Sequence, residues 1–255
     1  MPCLYLLHKG KAKPPYFLEG TAASFNTLIK LLLCHSLVLF VCSSAKEMSE
    51  QITFTQMKQK ENKFIIAIGA SAGGLKPIQT FFDSTPNVHA SYIILQHLHP
   101  DFKTLMADIL KKNSKLKIVE VLNGTIIDPN KIYVLPSNMY MTVKDDRLYL
   151  QPRSDFPSYP NVAIDIFLQS LAEVEGNESI VVILSGRGAD GAKGATMIKQ
   201  KGGMVIVQTP QSSEYNSMPL STIRTGSVDY ELLPEQMPNV ILKHINKWIR
   251  SNEDK

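Results

Sequence analysis

Three side chains of this sequence, Ser71, His97 and Asp190, have the residue types of a nucleophilic catalytic set. A serine hydroxyl attacks an acyl carbon effectively when a histidine accepts its proton and a carboxylate fixes the tautomer of that histidine. Each of the three residues follows the end of an apolar, β-branched run of the chain. The sequence therefore indicates covalent catalysis, provided that the fold brings the ends of these runs together.

The runs that precede these residues are typical of buried strands. Continuous apolar stretches without polar alternation predict strands that are covered on both faces, as in parallel sheets. We predict strands at 64–68, 92–96, 117–121, 131–135, 180–184 and 204–207. We predict helices at 74–82, 101–112, 161–174, 190–201, 219–225 and 238–250.

The alternation of strands and helices predicts an α/β fold with a mostly parallel sheet and helices on both faces. The segment 139–151, in which two apolar triplets flank Asp145 and Asp146, predicts a small β-hairpin insertion. Asn161 is the expected N-cap of the third helix. Because sites in such folds collect at the carboxyl ends of strands, we expect the three candidate residues at one edge of the sheet.

A glycine-rich turn surrounds Ser71 between the first strand and the first helix. Gly69, Gly73 and Gly74 lack the Cβ atoms that would crowd a sharp strand-to-helix turn. The backbone N–H groups of Ala72 and Gly73, close to a helix N-terminus, can stabilise the negative charge that develops on a substrate oxygen. The alternative is a plain strand-turn-helix in which the serine only caps the helix.

Each candidate residue also has a simpler role. Ser71 can cap a helix, His97 can be a polar strand end, and Asp190 can be the N-cap of the helix that follows it. His99 is a second candidate for the base, but it precedes Pro100 and lies farther from the strand end than His97. The order Ser, His, Asp differs from the Ser, Asp, His order of α/β-hydrolases, so that fold is not implied.

The composition fits one globular domain and excludes several kinds of site. The net charge is only +4, and the lysine cluster at 111–117 lacks interleaved aromatic residues, so we expect no nucleic-acid partner. All three cysteines, Cys3, Cys34 and Cys42, precede residue 48, which leaves no disulfide framework or thiolate metal site for the domain that follows. We expect no metal, and this cysteine usage suits a reducing cytoplasm.

Residues 1–60 differ in composition from the rest of the chain. Basic residues precede an apolar run at 31–44, which is shorter than the roughly 20 residues of a membrane span and resembles the core of a signal peptide. Met48 follows this run and can be the true start of translation, which is the interpretation we prefer. We therefore predict a catalytic domain at 62–250, preceded by a segment that is disordered, signal-like or not translated.

Four motifs, taken together, resemble the catalytic domain of the chemotaxis receptor protein-glutamate methylesterase family, CheB. They are Gly69-Ala70-Ser71-Ala72-Gly73-Gly74, Gln96-His97, Leu184-Ser185-Gly186-Arg187-Gly188-Ala189-Asp190-Gly191-Ala192 and Met218-Pro219. The resemblance covers about 62–248 and implies a doubly wound parallel sheet. It also implies a serine hydrolase that demethylates glutamate methyl esters on chemoreceptors, with deamidation of receptor glutamines as a second reaction.

The resemblance further implies a role for each member of the set. Ser71 would be the nucleophile, His97 the base and Asp190 the residue that orients the base. No metal or organic cofactor is implied, and the expected partners are methylated chemoreceptor helices in the cytoplasm.

The sequence departs from the family in several places. Ala72 stands where the family commonly has threonine, and Arg187 stands where it usually has methionine. Arg187 is either a surface arginine or a charge that selects acidic neighbours of the scissile group, and Met218 can help shape the substrate groove. Residues 1–60 are fewer than the roughly 100 that the family's phosphoacceptor receiver domain requires. We therefore expect an esterase that is constitutively open or controlled by a separate regulatory protein.

Two other functions compete with the esterase. A dinucleotide-binding Rossmann-type module shares the strand, glycine-rich turn and helix, but its fingerprint has glycine where this chain has Ser71 and needs an acidic residue about 20 positions later. The end of the second strand offers Gln96 and His97 instead. A catalytically silent receptor-binding domain is the second alternative, and the presence of all three candidate catalytic residues disfavours it.

Overall fold

A computed structural model describes residues 64–86, 88–96, 106, 110–112, 114–155 and 161–253. All of them lie in the compact unit Glu61–Lys255. The segment 1–60 and most of the helix predicted at 101–112 lie outside the described residues. No helix of the described residues combines the length and apolar character needed to cross a membrane.

The described residues form ten strands, five α-helices with both ends described and four short 3₁₀ helices, and residues 106 and 110–112 are also helical. The strands are β1 (Phe64–Ala70), β2 (Ala90–Gln96), β3 (Lys117–Glu120), β4 (Thr125–Ile126), β5 (Lys131–Val134), β6 (Met139–Lys144), β7 (Arg147–Pro152), β8 (Ser179–Ile183), β9 (Met204–Gln208) and β10 (Tyr230–Leu232). The helices are α1 (Leu75–Asp83), α2 (Ala163–Val174), α3 (Ala192–Gln200), α4 (Ser217–Ile223) and α5 (Met237–Glu253).

Seven strands form one sheet in the order β10-β9-β8-β1-β2-β5-β3, and every neighbouring pair is parallel. The order reverses at β1, since the chain first builds the sheet on the β2 side and later continues from β8 on the other side. The predicted mostly parallel, doubly wound sheet is therefore confirmed. The carboxyl ends of β1 and β8 flank the switch point, where such folds place their sites.

The sheet is covered on both faces, as the continuous apolar runs predicted. Every residue of β1 and β2 is buried. Alternate side chains point to opposite faces, so that Ile65 packs in one core with helices α2 and α3, whereas Ile66 packs in the other with α1 and α5. This burial fixes the strand ends, and with them the turns that carry the candidate site.

The predicted hairpin insertion is present as β6 and β7. Asp145 and Asp146 form its turn with φ values of 48° and 57°, which is the type I′ geometry that matches the twist of the flanking strands. The hairpin is tied to α2 by the N–H of Val143, which donates to the Ser170 hydroxyl at 3.0 Å. The short strand β4 pairs with β7 and was not predicted, because two residues carry no readable pattern.

All five helix starts differ from the predicted ones by one or two residues. Helix α2 begins at Ala163 with Val162 as its N-cap, so the expected cap at Asn161 is wrong. Helix α4 begins at Ser217, two residues before the predicted start at 219. The difference at α2 has a physical reason, because the N-terminus of α2 receives its hydrogen-bond acceptor from another part of the chain.

Gly194 allows α3 to pack closely on α2, and its replacement tests that packing. A Cβ at this position would lie 2.4 Å from the Leu168 Cβ. Helix propensity favours alanine by about 1 kcal/mol, but overpacking costs about 1–3 kcal/mol, so we expect Gly194→Ala to lower the free energy of unfolding. Urea unfolding measures the change. The control is Gln200→Ala on the exposed end of the same helix, which should stay within about 0.5 kcal/mol; a gain for Gly194→Ala would contradict the packing.

Candidate active site

Ser71 lies immediately after β1 in a tight turn and is half-buried. The N–H of Gly74 donates to the Ser71 carbonyl oxygen at 3.0 Å. Gly73 has φ +69°, the left-handed value that a type II turn requires at its third position. Gly74 is the N-cap of α1, so the candidate nucleophile precedes the helix by one turn instead of lying in its first turn.

Two backbone amides beside Ser71 already have partners. The N–H of Ser71 donates to the Ser185 carbonyl oxygen at 3.0 Å, and the N–H of Gly74 closes the turn. The N–H groups of Ala72 and Gly73 lie between these two amides in the chain, and they remain our candidates for binding an oxyanion. A side chain at Gly73 would meet the Ser185 hydroxyl and the Cβ of Glu214, each at 2.9 Å. Only glycine fits this position.

Ser185 connects the turns that follow β1, β8 and β9. Its hydroxyl donates to the Ala72 carbonyl oxygen and accepts the N–H of Tyr215, both at 3.0 Å. Its own N–H donates to Oε1 of Gln208 at 2.9 Å. Neither Ser185 nor Gln208 was predicted as a site residue, although each is a polar residue at the end of an apolar run.

The loop after β8 lies directly against Ser71. A Cβ on Gly186 would be 3.0 Å from the Ser71 Cβ and 1.9 Å from the sulfur of Met218. Met218 has no exposed surface, so it supports the loop from below. Arg187 is exposed, and its guanidinium carbon lies 4.4 Å from the centre of the Tyr215 ring. This cation–π contact holds the arginine against Tyr215, and the arginine is one residue along the chain from Gly186, which lies against Ser71.

Asp190 is buried, with 8% of its surface exposed, and its carboxylate faces α2. Its Oδ2 accepts the N–H of Ile164 at 3.0 Å, and its Oδ1 accepts the N–H of Asp165 at 2.9 Å. The alternative that Asp190 caps the helix that follows it is therefore wrong. That helix, α3, is instead bonded by Asp165, whose Oδ1 accepts the N–H groups of Gly191 at 2.9 Å and Gly194 at 2.8 Å.

His97 and His99, the two candidates for the base, lie outside the described residues. The last residue of β2, Gln96, is paired in register with Ala70, the residue before Ser71. The base therefore remains a prediction from the sequence. Among the residues that the structure does describe, no group of three His, Cys, Asp or Glu side chains could hold a metal ion.

The fold and the site define a doubly wound α/β domain with a serine at the switch point of its sheet. The CheB methylesterase family model matches residues 66–241. The chain belongs to this family, which confirms the resemblance found in the sequence.

Several curated proteins and a solved structure are similar to this chain. A protein-glutamate methylesterase/protein-glutamine glutaminase of Thermotoga maritima is 30% identical over 70% of this chain and 53% of its own length. A putative enzyme of the same name from Leptospira interrogans is 31% identical over 70% of this chain and 93% of its own. The crystal structure of the Thermotoga maritima CheB methylesterase catalytic domain aligns with a TM-score of 0.65 and 28% identity, covering 71% of this chain and 98% of that one.

The chain spans about half the length of some curated relatives that it matches. The covered share is 53% for the Thermotoga maritima protein and 51% for a protein of the same name from Pyrococcus horikoshii. The shared part is the α/β domain described above. Activity, substrates and partners of this chain are therefore proposals.

The ionisation of Asp165 gives a test of the carboxylate pair. Burial raises the pKa of Asp165 above its ordinary 3.8; the N–H of Gly194 opposes the rise, the charge of Asp190 adds to it, and Lys193 opposes it. Because the folded-state pKa exceeds the unfolded value, this group stabilises the fold most below about pH 3.8, and its contribution is lost as the pH rises through the folded-state pKa.

Asp165→Asn cannot ionise, so it isolates this effect. We expect the free energy of unfolding of the wild type, relative to Asp165→Asn, to fall as the pH is raised from about 4 to neutrality. Urea unfolding of both proteins at several pH values measures the difference. A difference that rises with pH would show that the carboxylate is more stable in the folded state than in the unfolded one.

Proposed function

We propose that this chain is a serine hydrolase that removes methyl groups from glutamate methyl esters on chemoreceptors and also deamidates receptor glutamines. Membership in the CheB methylesterase family supports the reaction type, and the relatives from Thermotoga maritima and Pyrococcus horikoshii carry both activities in their names. The observation that carries the proposal is the position of Ser71, which lies at the switch point against the loop that leads to Asp190.

In the proposed reaction the Ser71 hydroxyl oxygen attacks the carbonyl carbon of the ester while His97 accepts the hydroxyl proton. The carbonyl oxygen becomes negatively charged and accepts hydrogen bonds from the N–H groups of Ala72 and Gly73. The bond between the carbonyl carbon and the methoxy oxygen then breaks, and the methoxy group leaves as methanol with the proton that His97 held. Water then hydrolyses the acyl-enzyme by the same steps and regenerates the serine.

Asp190 is proposed to orient the base. A carboxylate without water around it needs hydrogen-bond donors, and the N–H groups of Ile164 and Asp165 supply two of them. These bonds hold the carboxylate in one orientation, and a carboxylate has acceptor positions for further donors such as an imidazole N–H. This is the role that the third member of a serine triad performs.

The proposed substrate is a methylated receptor helix. The exposed surface of the loop beside Ser71 favours a substrate that carries a charged side chain near the scissile ester. Arg187, held on Tyr215, presents a positive charge there. The enzyme must recognise the receptor surface around a methylated glutamate, and it would do so through side chains such as Arg187. A cytoplasmic location, which the cysteine-free sequence from 62 onward suits, and a separate regulatory protein belong to the same proposal.

The dinucleotide-binding alternative has less support. Strand β2 ends at Gln96, an uncharged amide, where a ribose-binding module of this type presents a carboxylate. Ser71 occupies the position of a glycine in the dinucleotide-binding fingerprint, and its N–H donates to the Ser185 carbonyl oxygen. The silent receptor-binding domain shares the substrate surface with the esterase, and the loss of catalysis in a serine variant separates the two.

Ser71→Ala removes the proposed nucleophile. We expect the release of methanol from methylated receptor membranes to fall by roughly 10³-fold or more, since the hydroxyl is the attacking group. The matched control is Ser251→Ala, which changes an exposed serine near the end of α5 and should leave the rate unchanged. Equal rates for Ser71→Ala and the wild type would remove Ser71 from the mechanism, and failure of a fluorophosphonate to label Ser71 would favour the silent domain.

Arg187→Met tests whether the arginine selects acidic neighbours of the ester. A charge at the rim of a site is worth about 1 kcal/mol, so we expect kcat/KM for methylated receptor to fall by about threefold to tenfold. Turnover of a small neutral methyl ester should stay the same. Arg224→Met, at another exposed arginine, is the control. A loss by the same factor for both substrates would contradict selection by Arg187.

A further inference from the structure

Two carboxylates hold the N-termini of α2 and α3 in a crosswise arrangement. Asp165 is the third residue of α2, but its Oδ1 accepts N–H groups of α3, from Gly191 and Gly194. Asp190 precedes the N-cap of α3, but its carboxylate accepts N–H groups of α2. Neither Val162 nor Gly191, the N-cap residues themselves, makes a side-chain capping bond. Each helix therefore depends on the other for the acceptors at its first turn.

The bonds form a closed ring through the candidate catalytic aspartate. The N–H of Asp165 donates to Oδ1 of Asp190 at 2.9 Å, and Oδ1 of Asp165 accepts the N–H of Gly191, the next residue after Asp190, also at 2.9 Å. A rotation of the Asp190 side chain away from α2 would strain its bonds to this ring. A shift of the 190–191 turn would break the bond to Asp165.

Close packing leaves little room for such a shift. Gly191 has φ +96°, and a Cβ there would lie 2.9 Å from both Ile164 Cγ2 and Ile183 Cδ1. Ile183 is the last residue of β8, so the turn is held between the sheet and α2. The hydrogen bonds of Asp165 supply the remaining constraint. They hold the backbone of the turn, which the glycines cannot anchor because they have no side chains.

We propose that Asp165 is a positioning residue that acts through the Gly191 turn and keeps the Asp190 carboxylate directed at the catalytic base. The proposal rests on the proposed function, in which Asp190 orients the base. Asp165 itself touches neither substrate nor nucleophile in this scheme. Its contribution is geometric, and it is separate from the stabilisation that any helix cap provides.

The electrostatic surroundings agree with a geometric role. Two carboxylates close together repel each other, and burial together with the Asp190 charge raises the pKa of Asp165, while Lys193 and the N–H groups of Gly194 and Gly191 oppose the rise. A neutral acceptor would avoid that repulsion and still bond both N–H groups. The test is therefore whether position 165 needs a hydrogen-bond acceptor and does not need a negative charge.

Three variants of the full chain separate the acceptor from the charge. Asp165→Ala removes both bonds, Asp165→Asn keeps the acceptor without the charge, and Asp165→Glu keeps the charge but moves the oxygens by one methylene. Two rates are measured, which are the hydrolysis of a small neutral methyl ester and the labelling of Ser71 by a fluorophosphonate. Labelling reports activation of the serine whatever the natural substrate is.

We expect Asp165→Ala and Asp165→Glu to lower kcat and the labelling rate about 10- to 100-fold with KM unchanged, as for a misplaced catalytic group. Asp165→Asn should stay within about threefold of the wild type. In an Asp190→Ala background, Asp165→Ala should have no additional effect, since its action passes through Asp190. Should Asp165→Ala fail to fold, the contrast between Asp165→Glu and Asp165→Asn decides the matter.

Asp229→Ala is the matched control for lost stability. Asp229 also accepts a backbone N–H, from Val205 at 2.9 Å, but it does so at the amino end of β9, away from the switch point. It should lower the free energy of unfolding without changing either rate. The proposal is overturned if folded Asp165→Ala or Asp165→Glu reacts as fast as Asp165→Asn, if Asp165→Asn is as slow as they are, or if the effects of Asp165→Ala and Asp190→Ala are additive. Failure of the proposed function is seen separately, as a wild type whose Ser71 is not labelled.

Discussion

The parallel pairing of β1 with β8 is the interaction on which the rest of this site depends. The ladder continues beyond the strands, because the N–H of Ser71 donates to the Ser185 carbonyl oxygen. The Ser185 hydroxyl then bonds the Ala72 carbonyl oxygen and so ties the second loop to the first. Residues more than a hundred positions apart are thereby held as one surface.

Burial of the carboxylate pair is offset in part by backbone donors nearby. An isolated buried carboxylate is costly, whereas one that accepts N–H groups at a helix N-terminus is stabilised by the hydrogen bonds and by the helix dipole. Asp165 and Asp190 each use two such donors. Asp165, which lies on α2, takes them from the start of α3, and Asp190, which precedes α3, takes them from α2. The exchange also explains why α2 starts without a capping side chain of its own at Val162.

Local patterns predicted the elements, and contacts between distant segments account for most of what they missed. The strands and the Asp145-Asp146 hairpin follow from runs of apolar residues and from turn chemistry that a few neighbouring residues determine. The wrong N-cap at Asn161 and the unrecognised Asp165 have one cause, which is a hydrogen-bond partner some 26 positions away. Ser185 follows a buried strand, but its hydrogen-bond partners lie at or just beyond the ends of β1 and β9, and no sequence spacing reveals them. His97 lies outside the described residues, so that part of the set rests on the sequence alone.

Because Gly186 lies against Met218, position 186 at the rim of the site cannot vary, whereas positions 187 and 215 can. Any side chain at 186 would overlap the methionine sulfur, which lies 1.9 Å from where its first carbon would be. Arg187 and Tyr215 project from the same rim, outward and partly into solvent. Under the proposed function, a mutant library meant to change which esters are accepted should therefore randomise 187 and 215 together and keep glycine at 186. Within that scheme, new preferences can be selected without rebuilding the loop that supports them.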